Sequence, residues 1–190
     1  SSDVINAVSE QYREEIMTNK FGQDLHRILK NREDRLFGIV NGISFADYNP
    51  NNDPGLKMNY DHRSVKRKKV NKEALQKRLK FPIDTDIPML VLTSRVTFQK
   101  GFELILNILE HLLRLDLQIV IMGDGDKNYI AQLKKFSKRY PKKIVWLPFA
   151  ENHNIETWLY AAGDIFLLPS HHEPCGLNQL IAMRYGCIPV

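Results

Sequence analysis

The feature that most restricts the fold is a rhythm in the second half of the chain, where short apolar runs alternate with helical stretches. Residues 88–94 (PMLVLTS), 117–122 (LQIVIM), 143–148 (KIVWLP) and 164–169 (DIFLLP) read as strands, and a last strand begins at 187–190 (CIPV). Between them lie helical segments at 102–115, near 127–139, near 155–162 and at 177–185. In the first of these, Phe102, Leu104, Ile105, Ile108, Leu109 and Leu112 are spaced for one broad apolar face. A strand that is apolar on both faces needs cover on both, and the intervening helices supply it. The expected architecture is α/β, a parallel sheet joined by right-handed crossovers.

Such a doubly wound, Rossmann-like sheet holds its ligands beyond the carboxyl ends of the strands. The unusual residues of this chain fall at those ends. The first half reads differently: strands at 3–8 and 35–40, a helix at 10–18, and a turn at Asn41-Gly42. Prolines and Asn/Asp residues make 47–54 (DYNPNNDP) a loop. Arg63, Lys66, Arg67, Lys68, Lys69, Lys72, Lys77, Arg78 and Lys80 form a basic stretch, part of it a helix over 71–80 capped by Asn71.

Three constellations carry chemistry. In the first, residues 93–101 (TSRVTFQKG), Arg95 and Lys100 stand five positions apart between a strand and a helix. The guanidinium offers a planar fork to phosphate oxygens and the ammonium a mobile point charge. Gly101 beside the helix start lets backbone amides approach an anion. Elsewhere in a fold such a pair is two solvated cations; its place at the ligand edge is what favours binding. In the second, Gly123-Asp124-Gly125-Asp126, the glycines suit a tight turn near a nucleotide, although turn chemistry alone also accounts for them. The third, residues 169–179 (PSHHEPCGLNQ), sets a carboxylate, Glu173, before a new helix. The amides of Cys175, Gly176, Leu177 and Asn178 would point outward there, toward an anion or sugar oxygens, and Glu173 could accept hydrogen bonds from a polyol or simply favour the helix dipole.

Other functions fit less well. Adjacent histidines point different ways and no second ligand cluster accompanies His171, His172, Glu173 and Cys175, so no metal is expected. The basic stretch lacks interleaved aromatics other than Phe81 and reads as a solvated loop and helix face, which disfavours nucleic acid. Two cysteines form no disulfide framework and suggest a reducing compartment. No apolar run is long enough to span a bilayer. Lys and Arg (27) outnumber Asp and Glu (22), a net charge of +5 that favours an anionic ligand without naming it.

Together these pieces resemble the bacterial glycogen synthase and plant starch synthase family. The resemblance runs along the whole chain: Asp3 to Ser9, Gly38 to Ile43, Tyr48-Asn49-Pro50 with Asp53, Asn71-Lys72, Leu75-Gln76, Ser94-Arg95, Gln99-Lys100-Gly101, Pro169-Ser170, Glu173 to Gln179 and Ala182 to Gly186. It implies the second half of a two-domain GT-B glycosyltransferase. Such enzymes transfer glucose, with retention, from ADP-glucose or UDP-glucose to the non-reducing end of an α-1,4-glucan. By resemblance Arg95 and Lys100 bind the donor diphosphate, Glu173 orients the donor glucose, and Cys175, Gly176 and Leu177 cradle sugar and phosphate. Phe149 stands where the family sets an aromatic against the base, and Asn41 belongs to a segment lining the cleft. The family uses no metal or other cofactor and is cytoplasmic, or plastidial in a plant or alga.

The same resemblance sets expectations for organisation. Residues 1–43 would be the trailing edge of the acceptor-side domain, 44–61 a crossover, and 62–190 a nucleotide-sugar-binding domain lacking its end. A first domain with a glycine-rich donor loop, a histidine and the acceptor surface would lie upstream. The chain alone would then bind nucleotide without turnover. Three positions depart from the family: Ser44 replaces an aspartate, His172 an aromatic, and Phe149 lacks a tyrosine hydroxyl. Ile181, eight positions after Glu173, agrees with this branch rather than with transferases carrying a second glutamate there. The alternatives are another GT-B transferase, or a glucan-binding module whose binding survives loss of Arg95 and Lys100.

Overall fold

The computed structural model describes residues 2–190, and the chain divides into two units. One comprises the residues up to Ile43 together with Glu173–Leu177; the other comprises Ser44–His172 and Asn178–Val190.

In the first unit, β1 (Ile5–Ala7) pairs in parallel with β2 (Leu36–Gly38), Ile5 opposite Leu36 and Ala7 opposite Gly38. A parallel pair needs a crossover, and the crossover contains α1 (Glu10–Ile16) and the short α2 (His26–Lys30). The second of these carries no strong period in the sequence, and the sequence reading omits it. Ser9 caps α1, its hydroxyl accepting from Tyr12 N at 3.0 Å. The same hydroxyl donates to Pro174 O at 2.6 Å, which fastens the 173–177 segment to this unit.

The second unit opens with α3 (Lys68–Leu79) and continues through β3 (Met89–Thr93), α4 (Phe102–Leu112), β4 (Gln118–Met122), α5 (Lys127–Arg139) and β5 (Ile144–Leu147). Then follow α6 (Phe149–Asn152), α7 (Glu156–Ala162), β6 (Ile165–Phe166), α8 (Leu177–Arg184) and β7 (Ile188–Pro189). The five strands are parallel, in the order β5-β4-β3-β6-β7. Every residue of β3 and β4 is buried, and all but Thr93 and Gln118 at their ends are apolar, as cover on both faces requires. Leu90, Leu92, Ile119 and Ile121 pack with Phe102, Ile105, Leu109 and Leu133 of α4 and α5. The opposite face meets α7, where Gly163 lies close against the Val91 side chain. The chain winds from β3 outward through β4 to β5, then returns to β6 on the other side of β3, so the switch point lies at β3.

Three local expectations are corrected. Helix α4 does not bury one broad face: Leu104 and Ile108 are 45% and 50% exposed, because the sheet takes only the narrower stripe of Phe102, Ile105 and Leu109. Asn71 does not cap a helix. Helix α3 begins three residues earlier, and Asn71 is buried within it, donating to Met58 O at 2.8 Å and accepting from Met58 N at 3.0 Å. Nor is the basic stretch wholly solvated. Lys68 and Lys72 turn inward: Lys68 Nζ donates to Tyr160 O (3.0 Å) and Tyr185 O (2.8 Å). Lys72 Nζ donates to Thr85 O (2.9 Å) and Ile87 O (2.5 Å) and pairs with Asp164 Oδ2 at 2.7 Å. Arg63, Lys66, Arg67, Lys69, Lys77, Arg78 and Lys80 are exposed.

Candidate functional site

Beyond the carboxyl ends of β3, β4 and β5 the second unit has a cleft of about 270 Å³ lined by Thr93, Ser94, Arg95, Gly123, Asp124, Phe149, Glu156 and Asn178. It lies at the switch point, where a doubly wound sheet leaves a crevice for a ligand.

The turns after β3 and β4 interlock to form its edge. Ser94 N donates to Met122 O at 3.1 Å, Val96 N to Asp124 O at 2.9 Å and Asp126 N to Val96 O at 2.8 Å. This close approach explains Gly123, where any Cβ would overlap Ser94 O. Asp126 then caps α5, its Oδ1 accepting from Asn128 N (2.7 Å) and Tyr129 N (3.2 Å). Asp124 Oδ2 accepts from Ala150 N at 3.0 Å, which fixes the start of α6. Phe149, 39% exposed, is the first residue of that helix and presents an aromatic surface to the cleft.

Arg95 is exposed and lines the cleft; Lys100 ends a 3-10 turn, Phe98–Lys100, on the same loop. Gly101 closes that turn at φ 70°, with Pro169 O where a Cβ would stand. The loop after β6 is held to it: His171 N donates to Gln99 O at 3.0 Å, Gln99 Nε2 to His172 O at 3.4 Å, and His171 bonds to Glu103 while stacking on Phe98 at 4.7 Å. Burial works to raise the Glu103 carboxyl, yet the bond from His171 and the amides opening α4 outweigh it and hold the group below its ordinary range. Asn178, near the start of α8, donates through Nδ2 to Thr93 O at 2.8 Å, so its side chain braces the end of β3 at the cleft wall.

Of the sequence-selected residues, the structure brings Arg95, Gly123, Phe149 and Asn178 to one cleft. Lys100 lies on the adjoining turn. Glu173, Cys175, Gly176 and Leu177 fall in the first unit with Asn41, which is exposed. Within that segment Gly176 is buried with φ 71°, and Cys175 is a free, half-buried thiol. Sequence reasoning misses Glu156. Its Oε1 accepts from Thr93 Oγ1 at 2.8 Å, and Tyr160 OH lies at 3.5 Å. A glutamate opening a helix looks like a dipole partner, and only the crossover from β5 brings it beneath β3. Among the described residues no group of three or more His, Cys, Asp or Glu is placed to hold a metal ion. No helix there is long and apolar enough to cross a membrane.

A parallel sheet with an arginine and an aromatic ring in one cleft beyond its carboxyl ends defines the class: a doubly wound α/β domain with a crevice at its switch point. The chain belongs to the glycosyl transferases group 1 family, whose model matches residues 73–190. It is 43% identical over 190 residues to a glycogen synthase of Desulforamulus reducens and 46% identical over 189 residues to one of Clostridium perfringens. Each alignment takes in 100% of this chain and 39% of the relative, so the chain spans about two fifths of the proteins it matches. Its fold superposes with a TM-score of 0.89 on the catalytic domain of starch synthase IV from Arabidopsis thaliana, bound to ADP and acarbose. That structure is 33% identical, and the match covers 99% of this chain and 39% of that one.

Proposed function

We propose that this chain is the nucleotide-sugar-binding part of an α-1,4-glucan synthase of the glycogen and starch synthase type. The whole protein would transfer glucose from ADP-glucose or UDP-glucose to the non-reducing end of a glucan, with retention, in the cytoplasm. The observation that carries this reading is the joint presence of Arg95 and Phe149 in the cleft at the switch point. It is supported by identity to glycogen synthases along the full length of the chain.

In this reading the base stacks on Phe149 and the diphosphate lies over the turn carrying Arg95 and Lys100. Negative charge grows on the diphosphate as the glycosidic bond breaks, and cations carried on that turn lower the barrier by stabilising it. Two cations in this role remove the need for a divalent ion. By the family resemblance Glu173 takes the donor glucose hydroxyls, with the Cys175, Gly176 and Leu177 amides beside it, and Asn41 is a further donor-binding residue; Asn178 positions the end of β3. The acceptor glucan binds elsewhere in the whole protein.

Calorimetric titration of the chain with ADP, UDP and GDP, beside an Arg95→Ala/Lys100→Ala variant, tests the reading. The expected result is nucleoside diphosphate binding that the variant weakens at least tenfold, since two charge-assisted contacts are lost. Equal binding by a variant of unchanged melting temperature would refute it. Glucan binding indifferent to both residues would instead favour a glucan-binding module.

A further inference from the structure

One wall of the cleft carries a group that a phosphate site does not call for. Glu156 is half-buried at the start of α7, and it lines the same space as Arg95, Phe149 and Asn178. A carboxylate facing a diphosphate is repulsive, and in a partly enclosed cleft that repulsion is weakly screened. Asp124, the other carboxylate here, is committed to Ala150 N through Oδ2. Glu156 is held from behind instead: Oε1 takes the Thr93 hydroxyl at 2.8 Å, with the Tyr160 hydroxyl at 3.5 Å. Thr93 and Tyr160 are both buried, so these contacts fix the side chain. The second oxygen, Oε2, is left to meet whatever enters the cleft.

An ionised carboxylate is acceptor-only, so its complement is a hydrogen-bond donor on the ligand. A nucleoside diphosphate has donors only at its nucleoside end: the ribose hydroxyls and, on the base, an exocyclic amine (adenine, cytosine, guanine) or a ring N–H (uracil N3, guanine N1). We propose that Glu156 is a specificity-determining residue that accepts a hydrogen bond from the nucleoside, and by its charge keeps the diphosphate over the Arg95 turn. The inference rests on the nucleotide reading of this cleft. It assigns Glu156 a part in choosing the donor, separate from the cations that hold the phosphates. The division of labour is physical: a cation contributes affinity for any diphosphate, whereas a half-buried acceptor penalises each ligand that cannot supply its donor.

The test measures dissociation constants of the wild-type chain and of Glu156→Ala and Glu156→Gln for ADP, 2′-deoxy-ADP, 3′-deoxy-ADP and IDP. IDP lacks the amine, and the deoxy forms lack one hydroxyl each. Wild type is expected to bind one of the three analogues roughly tenfold or more weaker than ADP, the cost of leaving a charged acceptor unmet. Glu156→Ala should erase that discrimination, and the analogue affected identifies the group read. Glu156→Gln, which keeps an acceptor without the charge, should retain part of it. Discrimination that persists undiminished in a folded Glu156→Ala variant overturns the proposal and leaves the nucleotide reading intact. So does a wild type that binds ADP and all three analogues equally. A folded wild type that binds no nucleotide overturns both.

Discussion

Lys68 gives the fold a pH dependence whose sign and size follow from its surroundings. Its ammonium is buried against Tyr160 O and Tyr185 O, and loss of hydration lowers its pKa from 10.5 to about 8. Below pH 8 it is protonated in both the folded and the unfolded chain and adds no slope. Between pH 8 and 10.5 the unfolded chain holds the extra proton, so stability rises with pH. At about 1.4 kcal/mol per pH unit the whole window is worth about 3 kcal/mol, of which about 1 kcal/mol falls between pH 8 and 9. Cys187 opposes it. Burial pushes that thiol from 9 up to about 12, so the folded chain keeps a proton the unfolded one loses, and stability falls from about pH 9. The buried hydroxyls of Tyr60, Tyr160 and Tyr185, all raised by burial, lower it further above pH 10. The Lys68 effect is therefore isolated between pH 8 and 9 in a Cys187→Ala background. Urea unfolding should show a gain of about 1 kcal/mol across that unit, absent once Lys68→Met is added. Should the double variant fail to fold, an NMR titration of Lys68 Cε in Cys187→Ala should give a midpoint near 8. A flat urea profile in Cys187→Ala, or a rise that survives Lys68→Met, would refute the reasoning.

Two substitutions probe the scaffold under the cleft. Gly101→Ala puts a Cβ into Pro169 O at φ 70°, and should cost about 2 kcal/mol or more in urea unfolding; a change within about 0.5 kcal/mol would mean the turn is not fixed. Lys72→Met removes the donor shared by Thr85 O, Ile87 O and Asp164 and should cost about 2 to 3 kcal/mol, below the full range for a buried pair because Asp164 is partly exposed. A neutral or stabilising result would mean that hydrophobic replacement compensates for the lost ion pair.

The parallel sheet was legible because β3 and β4 are apolar at every position but Thr93 and Gln118 at their ends, a pattern that a sheet covered on both faces accommodates. The Arg95 loop was legible for the same reason, since strand ends fix where ligands sit, whereas Phe149 was singled out only through the family resemblance. What stayed hidden depends on depth rather than period. Lys68 and Lys72 look like neighbours of Lys66 and Lys69 in sequence, yet a turn of helix separates exposed ammonium groups from ones spent on carbonyls. Leu104 and Ile108 look like core, yet a helix on a flat sheet buries only a stripe.

Glu156 shows the same limit at the site, with more consequence. Nothing in its neighbourhood, residues 153–158 (HNIETW), marks it as a ligand residue. Its meaning comes from Thr93, whose hydroxyl it accepts across 63 positions of chain at the switch point. Motifs record residues whose chemistry is needed by every ligand of a class, and phosphate-binding cations are of that kind. A residue that separates one nucleoside from another has no such reason to sit in a motif. It can stand on any element whose end reaches the cleft, and here that element is α7, brought beneath β3 by the crossover to β6. The physical expectation is that general affinity is readable at the strand ends, while selectivity has to be sought among side chains that brace them from behind.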